Sequence, residues 1–120
     1  DGVLGVKGVN GNIFDGCYYT SGFDKGSSDE NVQKFVKAYK EKYKSEPNMF
    51  AAFAYDSVFV MMEAMERAGT TEASKVNEEL AKTDYKNGVA GAFKYDDKHN
   101  PIKEMVIVGF ENGQYVTSSH

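Results

Sequence analysis

The chain has 120 residues, which is enough for one small domain and too few for two. Its net charge of -4 and its pI of about 5.2 exclude the basic surface that binding to nucleic-acid phosphates requires. Hydrophobic residues make up 41% and aromatic residues 13%, so the composition favours a packed core over disorder. No secretion signal precedes Asp1, which indicates a mature or excised segment of a longer protein.

The first predicted strand covers residues 13–21. Glycines recur at every third position before it, and without prolines they predict a Gly-rich loop rather than a collagen-like helix. Aromatic side chains then favour a pleated backbone. Cys17 is the only cysteine, so an internal disulfide is excluded, and we expect it to be a small buried residue of this strand.

The first predicted helix covers residues 29–44. Apolar side chains recur from Val32 to Tyr43 with the spacing of a single helical stripe. Ser28 or Asp29 can cap its start by accepting hydrogen bonds from free backbone N–H groups. The lysines on its other faces are interrupted by glutamates, which favours a solvated surface over a membrane-binding one.

A second helix is predicted from Met49 or Phe50 to Ala68, with Gly69 as its C-terminal stop. The helix is apolar on nearly all faces near its start, which predicts burial there. Asp56 is a carboxylate among these apolar neighbours. The favoured interpretation is that it accepts hydrogen bonds from backbone N–H groups of a nearby loop, and direct ligand contact is the alternative.

The last third of the chain predicts a short helix followed by strands. The helix begins at residue 70 or 71 and ends near 82, and extended segments follow at 91–95, 104–110 and 114–117. Residues 96–101 have the composition of a turn. The order of strand, three helices and terminal strands predicts an α/β fold.

The sequence offers little material for catalysis or metal binding. His99 and His120 do not lie at metal-ligand spacing from other ligands. Asp96, Asp97 and Asn100 resemble part of a calcium loop, but the glycine and the distal glutamate of that loop are missing. No serine has the sequence context of a nucleophile elbow. We therefore expect a binding module without metal or cofactor, and not an enzyme.

Several segments together resemble the branched-chain amino-acid receptors of ABC importers, which have the type I periplasmic binding fold. Residues 15–23 (DGCYYTSGF) resemble a strand of the "EGVYFTS" kind, and residues 32–47 resemble a helix with the pattern F-x-x-x-Y-x-x-x-Y-x-x-x-P. Residues 50–56 (FAAFAYD) resemble a helix opening A-x-x-x-YDA. In the tail, residues 88–100 resemble a "GVTG" motif and an "ITFDENGD" hairpin, and residues 103–116 resemble a closing "KPAVILQVKDGKFV".

The resemblance implies that residues 1–120 form a single partial type I periplasmic-binding-protein fold, an incomplete three-layer α/β/α lobe. Residues of about 13–21 would form a hinge strand, 29–83 the lobe helices and 91–117 the terminal strands. The whole protein would be two to three times longer and have two lobes. Because neighbouring parts of the fold are missing, we expect the isolated chain to dimerise or swap elements.

The resemblance also implies a function, which is to bind an amino acid, by family default Leu, Ile or Val, between two lobes without chemistry. The partner would be the permease of an ABC importer. The location would be extracytoplasmic, in the periplasm or on a membrane-anchored lipoprotein. The alternatives are a ligand-sensing domain of a signalling receptor on the same fold, an enzyme of the flavodoxin-like or hydrolase kind, and a purely structural fragment.

Two site residues follow from the resemblance. Phe50 aligns with a family aromatic residue that touches the ligand side chain, and the alternative is that Phe50 belongs to the core. The acid that holds the ligand's ammonium group sits in a short Asp-Gly or Glu-Gly motif upstream of the first strand. Asp1 with Gly2 is the candidate in this chain, although the alignment places the motif a few residues earlier.

Overall fold

A computed structural model describes residues 11–117 of the chain, in which three helices follow the first strand and the other strands follow the helices. A 3₁₀ turn at Gly11–Phe14 comes first. The helices are α1 (Glu30–Tyr43), α2 (Met49–Ala68) and α3 (Ala73–Leu80). The strands are β1 (Tyr18–Ser21), β2 (Asp84–Tyr85), β3 (Phe93–Tyr95), β4 (Pro101–Lys103), β5 (Val106–Glu111) and β6 (Gln114–Thr117).

Side chains cap the starts of α1 and α2, and the sequence predicts the cap of α1 at Asp29. The Asp29 carboxylate accepts hydrogen bonds from two N–H groups in the first turn of α1, and Asn48 caps α2 in the same way. Gly69 ends α2 in the left-handed conformation at φ 64°, as predicted for a C-terminal glycine. α3 is shorter than predicted, and its N-cap residue Glu72 makes no side-chain capping bond. Both of the long helices therefore begin at a side-chain cap and end at a left-handed residue whose backbone N–H donates back into the helix.

The strands form two three-stranded sheets, and every pairing in the described residues is antiparallel. The first sheet has the order β1-β5-β6, with Tyr18 opposite Gly109 and Phe110 opposite Tyr115. The second has the order β2-β3-β4. The mixed α/β class is as predicted.

The predicted strand at 13–21 is wrong in its first half. Gly11–Phe14 is a 3₁₀ turn, and the chain reverses through Gly16, whose φ of 80° suits a residue without a side chain. The strand begins only at Tyr18. Cys17 therefore precedes the strand and is exposed, contrary to the expectation that it is buried.

The turn and strand predicted after residue 95 also need correction. β4 begins at Pro101, inside the predicted turn, and pairs with β3 so that Tyr95 lies opposite Pro101. Proline is accepted there because it is the first residue of a strand at the sheet edge. β5 starts at Val106, two residues later than predicted. The two-residue strand β2 was not predicted, because so short a segment has no periodicity.

The main core joins four separate segments of the chain. It contains Phe23 after β1, buried side chains of α1, Ala52 of α2, and Val89 with Ala90 in the loop before β3. The rings of Phe23 and Phe35 pack edge to face with centroids 5.9 Å apart. The end of β1, the start of α2 and the loop at residues 86–92 are thus held around one point.

Candidate functional site

The predicted ligand contact Phe50 lies in the first turn of α2. Its side chain is 61% exposed, so Phe50 is not part of the core of the described residues. The turn that carries it is fixed, because the Asn48 side chain accepts a hydrogen bond of 3.0 Å from the Ala51 N–H. The structure thus presents an aromatic ring on a capped helix start, and its contact with a ligand stays a prediction.

The second predicted site residue, Asp1, lies outside the described residues. Its role as the acid that holds an ammonium group therefore stays a prediction.

Asp56 has the structural role that the sequence favoured. Its carboxylate is 4% exposed and accepts one hydrogen bond at each oxygen, from the N–H of Val89 at 2.9 Å and of Ala90 at 2.8 Å. A Cβ at Gly88 would lie 2.9 Å from Oδ2 of Asp56, so the loop approaches the carboxylate closely only because Gly88 has no side chain. Both oxygens are engaged by the backbone, which disfavours direct ligand contact.

Electrostatics at Asp56 are set by competing effects. Burial raises the pKa of the Asp56 carboxyl above its ordinary value, while the two backbone hydrogen bonds and the nearby Lys103 ammonium act in the opposite direction. Burial lowers the pKa of Lys103, and the charge of Asp56 partly offsets this. The two opposite charges therefore stabilise each other within a largely apolar environment.

Lys103 is the residue that the sequence analysis missed. Its ammonium donates hydrogen bonds to the carbonyl of Gly22 at 2.7 Å and to the carbonyl of Ala90 at 2.6 Å. The same Nζ lies 4.9 Å from the centroid of the Phe53 ring, within the range of a cation–π contact. Its partners are 81 and 13 residues away in sequence, so no local pattern could have indicated them.

The end of β1 and the start of α2 are in direct contact. The Gly22 N–H donates to the sulfur of Met49 at 3.3 Å. A Cβ added at Gly22 would lie 2.5 Å from Cζ of Phe53 and 3.1 Å from Nζ of Lys103. We refer to these four residues, together with Asp56, as the junction. Residues of β1, α2, the loop at 86–92 and β4 meet there.

One concave surface adjoins the junction, and another lies between α1 and α2. A cavity of about 240 Å³ is lined by Phe53, Phe93, Tyr95 and Lys103, among others. A larger groove of about 640 Å³ runs between α1 and α2 and is lined mainly by aromatic rings. Its rings form a continuous series in which Phe35 contacts Tyr55 with centroids 4.9 Å apart.

Metal ligands and membrane spans were sought within residues 11–117. No group of three His, Cys, Asp or Glu side chains in that range could hold a metal ion. No helix in the same range is both long enough and apolar enough to cross a membrane.

The chain matches a known protein family over most of its length. Residues 4–114 match the family described as periplasmic binding protein. No curated protein sequence matches the chain.

Three solved structures illustrate the structural matches. The leucine-binding protein LivK of Thermotoga maritima is 34% identical with a TM-score of 0.78, over 91% of this chain and 31% of that one. LivJ of Streptococcus pneumoniae, in complex with isoleucine, is 31% identical with a TM-score of 0.76, over 90% and 32%. A solute-binding protein from R. palustris, in complex with benzoate, shares the fold at 23% identity and a TM-score of 0.74, over 86% and 29%. The chain thus spans about a third of the length of each.

Proposed function

Because the chain belongs to the periplasmic binding protein family, we propose that it is part of the solute-binding component of an ABC importer. The proposed ligand is an amino acid of the branched-chain class, and the partner is the importer's permease. The protein would act outside the cytoplasm, either free in the periplasm or tethered as a lipoprotein. It would bind and release its ligand without catalysing a reaction.

The main support for this ligand class is the 34% identity to a leucine-binding protein over 91% of the chain. The structure adds an exposed aromatic ring, Phe50, at the capped start of α2. Packing an aliphatic side chain against such a ring contributes on the order of 1 to 3 kcal/mol. Benzoate in a more distant relative with the same fold makes an aromatic acid the second candidate ligand.

The proposed mechanism is a change in the population of open and closed states. The ligand would contact both lobes and favour the closed state by the difference in its affinity for the two. β1 would cross the hinge, and the permease would recognise the closed form. Asp1 is the proposed acid for the ligand's ammonium group, and Phe50 the proposed contact for its side chain.

Calorimetry on the complete protein that contains this chain tests the proposal. Leu, Ile, Val and benzoate are titrated separately, and we expect binding of at least one branched-chain amino acid. Phe50→Ala should weaken that binding about tenfold or more, because it removes the buried apolar contact. Tyr43→Ala, which removes an exposed ring of α1, is the matched control and should leave the affinity unchanged. Binding of none of the amino acids would refute the proposed ligand class.

The 120-residue chain by itself should bind these ligands weakly or not at all, because it spans only about a third of its relatives. Micromolar affinity of the isolated chain would contradict this expectation.

We also propose that the isolated chain associates with a second copy. Large apolar side chains of α2 are exposed, among them Val58, Met61 and Met62. A contiguous apolar surface of this kind favours association in water. The second copy would take the place of the parts of the fold that the relatives have and this chain lacks.

A further inference from the structure

Lys103 is the one side chain that contacts the end of β1, α2 and the loop before β3 together, among the contacts described above. We propose that Lys103 is a positioning residue that holds the first turns of α2, and with them Phe50, at a fixed place relative to the end of β1. This inference rests on the proposed function, because only a ligand-binding role gives the position of Phe50 a consequence.

The Lys103 ammonium links two segments of the chain through its hydrogen bonds. Lys103 donates to the carbonyls of Gly22 and Ala90, which belong to segments that are far apart in sequence. Ala90 is also held from its other side, because its N–H donates to Asp56. The Asp56 carboxylate thus holds the N–H of Ala90, and the Lys103 ammonium holds its carbonyl. An apolar side chain at position 103 would leave two partly buried carbonyls without these donors.

Gly22 is in turn attached to α2 by two contacts. Gly22 contacts the helix through its N–H, which donates to the Met49 sulfur, and through its open Cα face, against which the Phe53 ring packs. The Phe53 ring is close to both Gly22 and the Lys103 ammonium. When Lys103 fixes the Gly22 carbonyl, it therefore also fixes the surface on which the first turns of α2 rest.

Phe50 lies between Met49 and Phe53, the two residues of α2 that contact Gly22. Phe50 follows Met49 directly and precedes Phe53 by about one helical turn. Its own ring is largely exposed, so it has little packing of its own to hold it in place. The position of the ring is then set by its two neighbours and, through them, by Lys103. A binding residue held by such support loses function when it moves by about 1 Å.

The test replaces the ammonium chemically. In a Cys17→Ser background, which removes the exposed natural thiol, Lys103→Cys is prepared in the complete protein and treated with 2-bromoethylamine. The thiolate displaces bromide and forms a thioether that carries an ammonium at nearly the length of lysine. The readouts are the affinity for leucine and the NMR shifts of the Met49 methyl group and the Phe50 ring.

We expect Lys103→Cys to weaken leucine binding about tenfold and to shift the Met49 and Phe50 signals, and aminoethylation to restore both. Lys94→Cys, in the neighbouring strand of the same hairpin, is the matched control, and neither step should change its binding or shifts. Should Lys103→Cys fail to fold, Lys103→Gln provides a neutral donor of similar length and should show the same loss to a smaller degree.

Wild-type affinity and unshifted signals in Lys103→Cys would overturn the inference. So would a loss that aminoethylation does not reverse, because a purely steric role would produce it. If the unaltered protein binds no amino acid, the proposed function fails, and the Met49 and Phe50 shifts alone then decide whether Lys103 positions α2.

Discussion

The two faces of α2 differ in what covers them. On one face Ala52, Asp56, Val60 and Ala64 are at most 4% exposed, because α3 and the loop at residues 86–92 pack against them. On the other face larger apolar side chains are 39% to 61% exposed, namely Phe50, Val58, Met61 and Met62. The covered face thus carries two alanines, one valine and a hydrogen-bonded carboxylate, and the exposed face carries mostly longer apolar side chains.

This difference shows that apolar character alone does not identify the packed face of a helix. Close packing accommodates two alanines, Val60 and one paired carboxylate on the covered face. The exposed face is apolar enough to gain roughly 1.5 to 3 kcal/mol for each large side chain that a partner buries fully. A chain that spans a third of its relatives leaves such a face open.

The largest effect should come from the covered face. Asp56→Ala leaves the N–H groups of Val89 and Ala90 without their acceptor, which should lower the free energy of unfolding by about 2 to 4 kcal/mol. Urea denaturation measures this free energy of unfolding. Asp56→Asn keeps one acceptor oxygen and should lose about half as much.

Ser57→Ala is the control for Asp56, because Ser57 is exposed and bonds only within the helix, to the carbonyl of Phe53. It should change the free energy of unfolding by no more than about 0.5 kcal/mol. Equal stability of Asp56→Ala and Ser57→Ala would show that the two hydrogen bonds do not hold the loop.

A smaller loss is expected at the junction from Gly22→Ala. The added methyl group would meet the Phe53 ring at 2.5 Å, and the ring is confined by Lys103, so the helix start must shift. The free energy of unfolding should fall by about 1 to 3 kcal/mol. Gly26→Ala, whose Cβ would come no closer than 3.3 Å to a neighbouring oxygen, is the matched control. If the two variants unfold at the same urea concentration, the junction is not tightly packed.

The open face should affect association rather than folding. Val58→Ser combined with Met62→Ser should change the free energy of unfolding of the monomer by about 0.5 kcal/mol or less, because both side chains are exposed. Val60→Ala, on the covered face, should cost about 1 to 3 kcal/mol. Sedimentation equilibrium should show that only the double variant weakens self-association of the isolated chain. Unchanged association would mean that a second copy does not cover this face.

Local signals made the long helices predictable. Asp29 marks the start of α1 and Gly69 the end of α2 by side-chain and backbone chemistry that needs no tertiary contact. The interpretation of Asp56 was also correct, since a lone carboxylate among apolar residues must find donors. The short strands β2 and β4 were not predicted, because β2 has only two residues and β4 begins in a segment with the composition of a turn.

The role of Lys103 could not be predicted for a different reason. A lysine in a short strand at a sheet edge is ordinary, and only the fold brings it to the carbonyls of Gly22 and Ala90. A similar limit applies to α2, whose apolar pattern does not state which face the chain covers. The sequence therefore does not determine the contacts between distant segments, including the contacts that complete the site.

The smallest effect concerns an exposed carboxylate whose pKa is shifted in the direction opposite to that of Asp56. Asp96 accepts hydrogen bonds from the Asn100 N–H and side-chain amide and from the Lys98 N–H, and these lower its pKa below the ordinary value. Its contribution to stability is therefore present above the unfolded pKa of about 3.9 and is lost as the pH falls through the lower, folded value. The raised pKa of Asp56 has the reverse sign, since acid then favours the folded state.

The unfolding midpoints of the unaltered chain and of Asp96→Asn should accordingly converge below about pH 4. Asp97→Asn, in the same exposed turn, is the matched control. A constant difference down to about pH 2 would mean that the carboxylate of Asp96 does not stabilise the turn.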